Sequence, residues 1–558
     1  MNTKTVTKGD GSFASTCSSV ISGVITVYLL IVLTVLPLIY DNSYFNILET
    51  KYKCFYMSTL FMLAVLLVSG LVMLGIDRKE FQGEHAKELF AKLKPQNWRK
   101  TFSAADMAVV AFWVFSVIST LQSEYVYESF WGNEGRYSGL FLMTLYVAAY
   151  LVISHFWKPN GWVMQAFLAA GMIVCAIGIT DYFQMDVLHF RGHIKPEQST
   201  SFMSTIGNIN TYTAYVALVM GASAAMFATA QGWLRMGWYY ICMVVSFIAI
   251  VMGRSDNAYL ALSALFAFLP LLLFQRKDGV VRYFMLLATF ASVIQYIDYL
   301  NQKYAKVVIG LDSLFGVLVD IPKLHMIVAG LWGIALILHF VMKWSNLKVK
   351  QKALLETERW KLGKYLVCIW AGMLVLGVVG IAYMFADANV MGHADHYGVI
   401  KKYLVFSDWW GSSRGYIWKK SVLLYDNLPF IHKMFGYGPD TFGIMTTKSF
   451  LTEMLDKTSV IFDSAHNEYL QYLLTIGLSG VTAYVIFLVF YAKQMVKVYQ
   501  MVENRNRVYA SASLIAVLCY CFQAIVNINL PIVTPVFWLL LGNGMAWIKK
   551  NIVVYRKM

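Results

Sequence analysis

The chain has 558 residues, 58% of them hydrophobic and only 14% charged, with 46 Lys and Arg against 31 Asp and Glu for a formal net charge of +15. Soluble domains carry about a quarter charged residues, so this composition excludes an ordinary soluble enzyme and points to a chain solvated by lipid. The basic surplus excludes a nucleic-acid reading as well, because it is spread over short segments between apolar runs instead of forming one patch.

In chain order, residues 1–19 are rich in Thr, Ser and Gly and are expected to form a disordered cytoplasmic tail. Residues 20–386 then hold eleven apolar runs near the length of a membrane-crossing helix. They lie at 20–40, 55–76, 104–121, 139–157, 161–181, 211–230, 237–252, 256–274, 281–297, 325–342 and 365–386. A polar stretch follows over 387–466, then runs at 467–492, 508–530 and 533–549 and a short tail over 550–558. The predicted fold class is therefore an all-α polytopic membrane protein with about 14 transmembrane helices and one large extracytoplasmic loop. The first run is too long for a signal-peptide core and no A-x-A site follows it, so it reads as a retained anchor helix.

The basic connections 77–103 and 343–364 mark the inner face, which makes both termini cytoplasmic and the loop 387–466 extracytoplasmic. Glu84 to Phe90 is expected to form a short surface helix. Most of the seven cysteines (Cys17, Cys54, Cys175, Cys242, Cys368, Cys519 and Cys521) lie in or beside apolar runs, without a disulfide framework or a CxxC spacing. Inspection finds no internal repeat of the kind that duplicated transporter folds carry.

Three shorter outer segments hold candidate polar residues. Loop 122–138 surrounds Glu124, Glu128 and Glu134 with aromatics and ends in Gly135-Arg136-Tyr137-Ser138-Gly139. An interfacial aromatic belt with a snorkelling Arg136 explains it as well as a binding role does. Loop 182–210 ends in Gly207-Asn208-Ile209-Asn210, where helix capping accounts for one of the two asparagines. Arg254 and Asp256 share a tight turn between two apolar runs, as a local ion pair or as a substrate contact through Arg254.

In the long loop, Ser412 or Ser413 is expected to cap a helix that presents Arg414, Trp418, Val422 and Tyr425 on one face until Pro429 ends it. The planar fork of an arginine matches phosphate oxygens bidentately, and a helix N-terminus adds free backbone donors. Gly436, Gly438 and Pro439 then force a turn. His466 reads as the first turn of a long apolar helix, with Asp463 and Ser464 available as caps, where the helix dipole favours the neutral imidazole that a general base needs. Gly477 and Gly480 fall near the same face and predict a groove for a neighbouring helix. Taken one at a time, Arg414 is equally a surface charge and His466 equally an interfacial or capping residue. The loop shows no Asp-x-Asp motif and no His/Cys ligand cluster, so no metal is expected, and no G-x-x-x-x-G-K loop calls for a nucleotide.

Together these residues resemble a known pattern. Arg414-Gly-Tyr-Ile-Trp418, Pro429, Gly436-Tyr-Gly438-Pro-Asp-Thr-Phe442 and His466-Asn467 with Gly477 and Gly480 resemble the signature of the O-antigen ligase and polymerase family, over roughly 405–485. Weaker echoes are Gly135-Arg136 to Gly139, Gly207-Asn208-Ile-Asn210, and the turn at Arg254, where the family has Ser-Arg and this chain has Arg254-Ser255. The resemblance implies a GT-C-like, inverting, metal-independent membrane glycosyltransferase without a cofactor. Its donor would be a glycan on a polyprenyl diphosphate, and its acceptor a hydroxyl of a glycan, lipid or protein. On that pattern Arg414 holds the diphosphate with help from Arg254 and Arg136, and His466 takes the acceptor proton. Asn467, Trp418, Asn208, Asn210, Gly477 and Gly480 support them. The competing reading, a flippase for lipid-linked glycans or another polytopic transporter, leaves the long loop and its histidine without a role.

Overall fold

The computed structural model describes residues 8–311, 314–350, 361–501 and 504–557. Lys352 and Arg359, expected on the inner face, lie outside them, as do residues 1–7 of the expected tail. The fold is all-α, apart from a two-residue antiparallel pair, Phe202–Met203 with Gly207–Asn208. Eleven helices among the described residues are long and apolar enough to cross a membrane, and two further apolar helices, Leu140–Phe156 and Asn257–Leu273, are shorter.

The helices used below are α1 (Lys8–Leu30), α2 (Ile47–Glu80), α3 (Ala104–Leu121), α4 (Leu140–Phe156), α5 (Gly161–Tyr182), α6 (Ile209–Thr229), α7 (Trp233–Met252), α8 (Asn257–Leu273), α9 (Lys277–Lys303), α10 (Leu324–Lys350) and α11 (Lys361–Asn389). After them come α12 (Trp410–Asn427), α13 (Phe430–Phe435), α14 (Phe442–Thr458), α15 (Glu468–Thr475), α16 (Gly477–Met501), α17 (Asn504–Gln523) and α18 (Thr534–Lys557). The short surface helix expected from Glu84 is present as Glu84–Leu93.

The hub is α6, which is enclosed by α5, α7, α8, α9 and α17. Its run of Ala, Gly and Ser lets partner backbones approach closely: a Cβ on Gly221 would sit 2.8 Å from the Ala516 Cα of α17. The two helices that lead to the long loop differ. α10 and α11 expose nearly all of their apolar surface, as lipid-facing helices do.

One expectation fails locally and another is exceeded. Residues 8–19 are helical, not disordered. Ser19 Oγ donates to the Ser15 carbonyl, Phe13 stacks on Phe81, and the Lys158 backbone N–H donates to Ser22 Oγ, so this polar end docks onto the body. The stretch 387–466 holds more structure than the one helix expected in it. It folds into helices with their own apolar core, in which Tyr416, Ile417, Leu424, Phe442, Met445, Met454 and Phe462 pack against Leu474 of α15.

Candidate active site

Arg414 begins the regular part of α12. Ser412 and Ser413 do not cap the helix; with Gly411 they form three consecutive left-handed residues before it. Such non-glycine conformations cost on the order of 1–3 kcal/mol each, so the surrounding packing must hold them. The buried face of α12 is Arg414, Ile417, Ser421 and Leu424, with Trp418 and Tyr425 half-buried. Val422, expected on that face, is exposed, because eight residues of helix carry it about 80° round from Arg414, away from Ile417 and Leu424. Only 7% of Arg414 is accessible. Its Nη1 donates to the Gly411 carbonyl at 2.8 Å, while its buried Nε has no hydrogen-bond partner. A buried guanidinium donor without an acceptor is costly, and an anion in the cavity would relieve that cost. Burial lowers its pKa, and the charge of Asp256 acts the other way.

Arg414 shares a cavity of about 1090 Å³ with Arg254, Asp256, Lys401, Lys402 and the rings of Tyr259, Trp409, Trp410 and Trp418. Arg254 also has a left-handed backbone, at φ 55°. An amide network beneath it keeps this turn in shape. Ser255 Oγ donates to Asn210 Oδ1, the side-chain amides of Asn257 and Asn527 donate to the Asn210 carbonyl, and both also donate to Gln523 Oε1. The inverted order Arg254-Ser255 therefore turns the serine into the protein and leaves the arginine on the cavity wall. Asn208 is the N-cap of α6, its Oδ1 accepting from the Asn210 N–H. Asn210 serves as a strut and not as part of the cavity lining.

His466 is not in a helix. Asn467 is the N-cap of α15, accepting from the N–H groups of Tyr469 and Leu470, and His466 precedes it with φ 48°. The expected caps do other work: Ser464 Oγ accepts from the His466 N–H, and the Asp463 carboxylate accepts two bonds from Arg136. Trp418, one turn after Arg414, donates its indole N–H to the Ala465 carbonyl at 2.9 Å, so α12 is tied directly to the histidine segment. His466 itself is half-buried and is not among the residues lining the Arg414 cavity, although Ala465 next to it is bonded to Trp418 of that cavity. Loss of solvent, and then the charges of Arg414 and Arg136, pull its pKa down to about 4 against the opposing effect of Asp463. These effects keep the imidazole neutral at physiological pH.

Arg136 stands apart from the other two arginines. It lies beside a second cavity of about 500 Å³, with Asn133, Glu134, Asp440, Lys448 and Asp463. Asp440 joins the same region to the Gly436–Pro439 turn by accepting from the backbone N–H groups of Asn133 and Ser138. Its burial pushes its pKa up to about 7.

The glycines also differ from expectation. The long helix breaks at Gly477, whose φ is 79°, so α15 and α16 are separate helices. A Cβ on Gly477 would sit 2.4 Å from the Gly436 backbone N, and one on Gly436 would strike Thr475. The N–H groups of Tyr437 and Gly438 donate to the Leu474 and Thr475 carbonyls, both at 3.0 Å. Gly477 thus receives the Gly436 turn and not a membrane helix, while Gly480 packs beside Ile476, with Phe115 of α3 at 3.9 Å.

These contacts unite the left-handed turn before Arg414, the glycine turn and the His466 segment in one assembly. Residues 324–485 match the O-Antigen ligase family model. The match takes in Arg414, Trp418, His466, Asn467, Gly477 and Gly480, and leaves out Arg136, Asn208, Asn210 and Arg254. With the apolar helices, it supports a multi-pass membrane protein of the O-antigen ligase/polymerase type. Among curated proteins none matches the chain.

Sequence reading missed Gln523 and Asn527 and did not anticipate the long-range bonds of Asp440 and Asp463. It also missed a donor cluster in the loop, and the expectation of none is corrected: Asp387, His393 and His396 each offer one ligand atom within 4.8 Å of the others. The signal in the sequence is Asp387-x5-His393-x2-His396, at the start of the polar stretch.

Proposed function

We propose that this protein transfers a glycan from a polyprenyl-diphosphate carrier to an acceptor hydroxyl at the outer face of the bacterial plasma membrane, with inversion at the anomeric carbon. The observation that carries the reading is Arg414, a buried guanidinium with a partnerless Nε on the wall of a cavity that it shares with Arg254. Breaking the bond between sugar and diphosphate builds negative charge on the leaving oxygens, and preorganised cations stabilise it. Arg414 is the principal diphosphate ligand and Arg254 the second. Trp409, Trp410 and Trp418 offer apolar faces to the sugar. The fold is of the GT-C-like kind, with both termini cytoplasmic.

In the chemical step, the acceptor O–H gives its proton to neutral His466 as the oxygen attacks the anomeric carbon. The new C–O bond replaces the one that breaks toward the departing lipid diphosphate. A resting pKa of about 4 makes His466 a weak base. Diphosphate bound at Arg414 offsets the guanidinium charge and raises that basicity when the donor is present. Arg136 acts at one remove, by holding the Asp463 carboxylate near the imidazole.

The test is turnover of an undecaprenyl-diphosphate glycan and acceptor by the purified full-length protein, with the new glycosidic bond read by mass spectrometry. His466→Ala is expected to lower kcat by about 10²–10⁴. Full turnover in that variant removes the histidine from the mechanism. Movement of labelled lipid-linked glycan across a proteoliposome bilayer, without a new bond, replaces the enzyme reading with that of a transporter. Mass spectrometry of the glycan accumulated by a deletion strain separates ligase from polymerase by identifying the acceptor.

A further inference from the structure

The segment between α11 and the Arg414 cavity carries the donor cluster that the reaction above does not use. α11 ends at Asn389, the chain reverses through Gly392 at φ 78°, and the backbone N–H of His393 donates to the Asp387 carbonyl at 3.1 Å. That reversal sets His393 Nδ1 2.9 Å from Asp387 Oδ1. His396, one 3-10 turn further on, stacks on His393 with ring centroids 5.1 Å apart. Tyr397 donates its hydroxyl to the other carboxylate oxygen, Asp387 Oδ2, at 2.9 Å.

We propose that Asp387, His393 and His396 form a Zn²⁺ site. Two imidazoles and one carboxylate are a donor set that suits zinc, with water completing a tetrahedron. Zinc bonds of about 2.0–2.2 Å put neighbouring ligand atoms roughly 3.3 Å apart, close to the existing His393–Asp387 separation. His396 is exposed, so its ring rotates inward without disturbing the core. Tyr397 supplies the outer partner that orients a ligating carboxylate by engaging its second oxygen. Asp387 is only 7% accessible at its side chain, which gives the ion one fixed anchor and two adjustable ones.

The consequence lies downstream. Gly398, two residues beyond His396, has φ 49° and ψ −125° and kinks the chain. Gly398, Val399, Lys401, Lys402, Tyr403 and Val405 then form one wall of the Arg414 cavity. Zinc at the cluster pins this wall to the end of α11, beside the Arg414 cavity and not within it.

The experiment is a Zn²⁺ titration of tag-free, full-length protein in detergent at pH 7.5, followed by calorimetry and by metal content after gel filtration. Wild type is expected to take up one equivalent, and the His393→Ala/His396→Ala double variant none at that site. Tyr397→Phe keeps the stoichiometry with affinity lowered about tenfold. Asp395→Ala leaves binding unchanged, because that carboxylate is engaged by Lys401 and lies outside the cluster. A wild type that binds no Zn²⁺ at 100 µM, or a double variant that binds like wild type, overturns the proposal. Both readouts are independent of glycosyl transfer.

Discussion

Arg414 and Arg136 both depress the basicity of His466, yet their guanidiniums are held in different ways. Arg414 is buried on the wall of a wide cavity, bonded to one nearby carbonyl and left with a partnerless Nε. Arg136 spends its fork on Asp463, a carboxylate that is half exposed. The first arrangement keeps binding capacity in reserve, and the second uses it on a structural clip. Under the proposed mechanism, the contrast teaches that charge near the base does not by itself make a ligand; what remains unsatisfied on the cation does.

Removing each guanidinium in turn breaks or sharpens this comparison. The largest expected effect is that of Arg414→Ala, which lowers kcat/KM by about 10²–10³, the loss typical of a deleted transition-state donor. Arg414→Lys recovers little of it, since ammonium lacks the planar fork. Wild-type turnover in the lysine variant, measured in the same transfer assay, reduces Arg414 to a point charge.

Arg136→Ala is expected to fall within about fivefold of wild type, as suits a partly exposed ion pair worth roughly 0–1 kcal/mol. Asp463→Ala has a similar effect, and the double variant is no worse than either single one, because both remove the same clip. A loss at Arg136 equal to that at Arg414 dissolves the distinction between them.

The finest test is the pH profile. His466 is neutral and competent above its folded pKa of about 4, so kcat/KM falls only as pH drops through that value. Either arginine variant, by taking away a positive charge, moves this acid limb to higher pH, and Arg414→Ala moves it further than Arg136→Ala. In wild type the limb of kcat, which reports the donor-bound enzyme, lies above that of kcat/KM. Coincident limbs, or limbs unmoved in the variants, separate His466 from the proton transfer.

Much of the site was legible as a pattern of residue types, though not as geometry. Pro429 ends α12 where a residue without a backbone N–H must, and Asn208 caps α6 as its short amide predicts. The role of Gly477 was misread because a helix break looks like a small-residue face when only spacing is visible. Ser412 and Ser413 were misread for a related reason. Serine before a helix usually caps it, whereas here Gly411, Ser412 and Ser413 take a left-handed path into α12, close to where Gly415 packs against Ser407 and Trp410.

The sequence by itself determined the membrane class, the order of the helices and the residue types of the site, because run length, capping and turn chemistry act over a few neighbouring residues. Only the tertiary structure decided which arginine stays open and which is clipped, since Arg136 and Asp463 lie 327 positions apart. It also decided that Asn210 braces a turn, that the Gly436 turn docks on a helix break, and that Asp387 meets two histidines. Contacts of that kind depend on how distant elements pack, and no local pattern of residues encodes them.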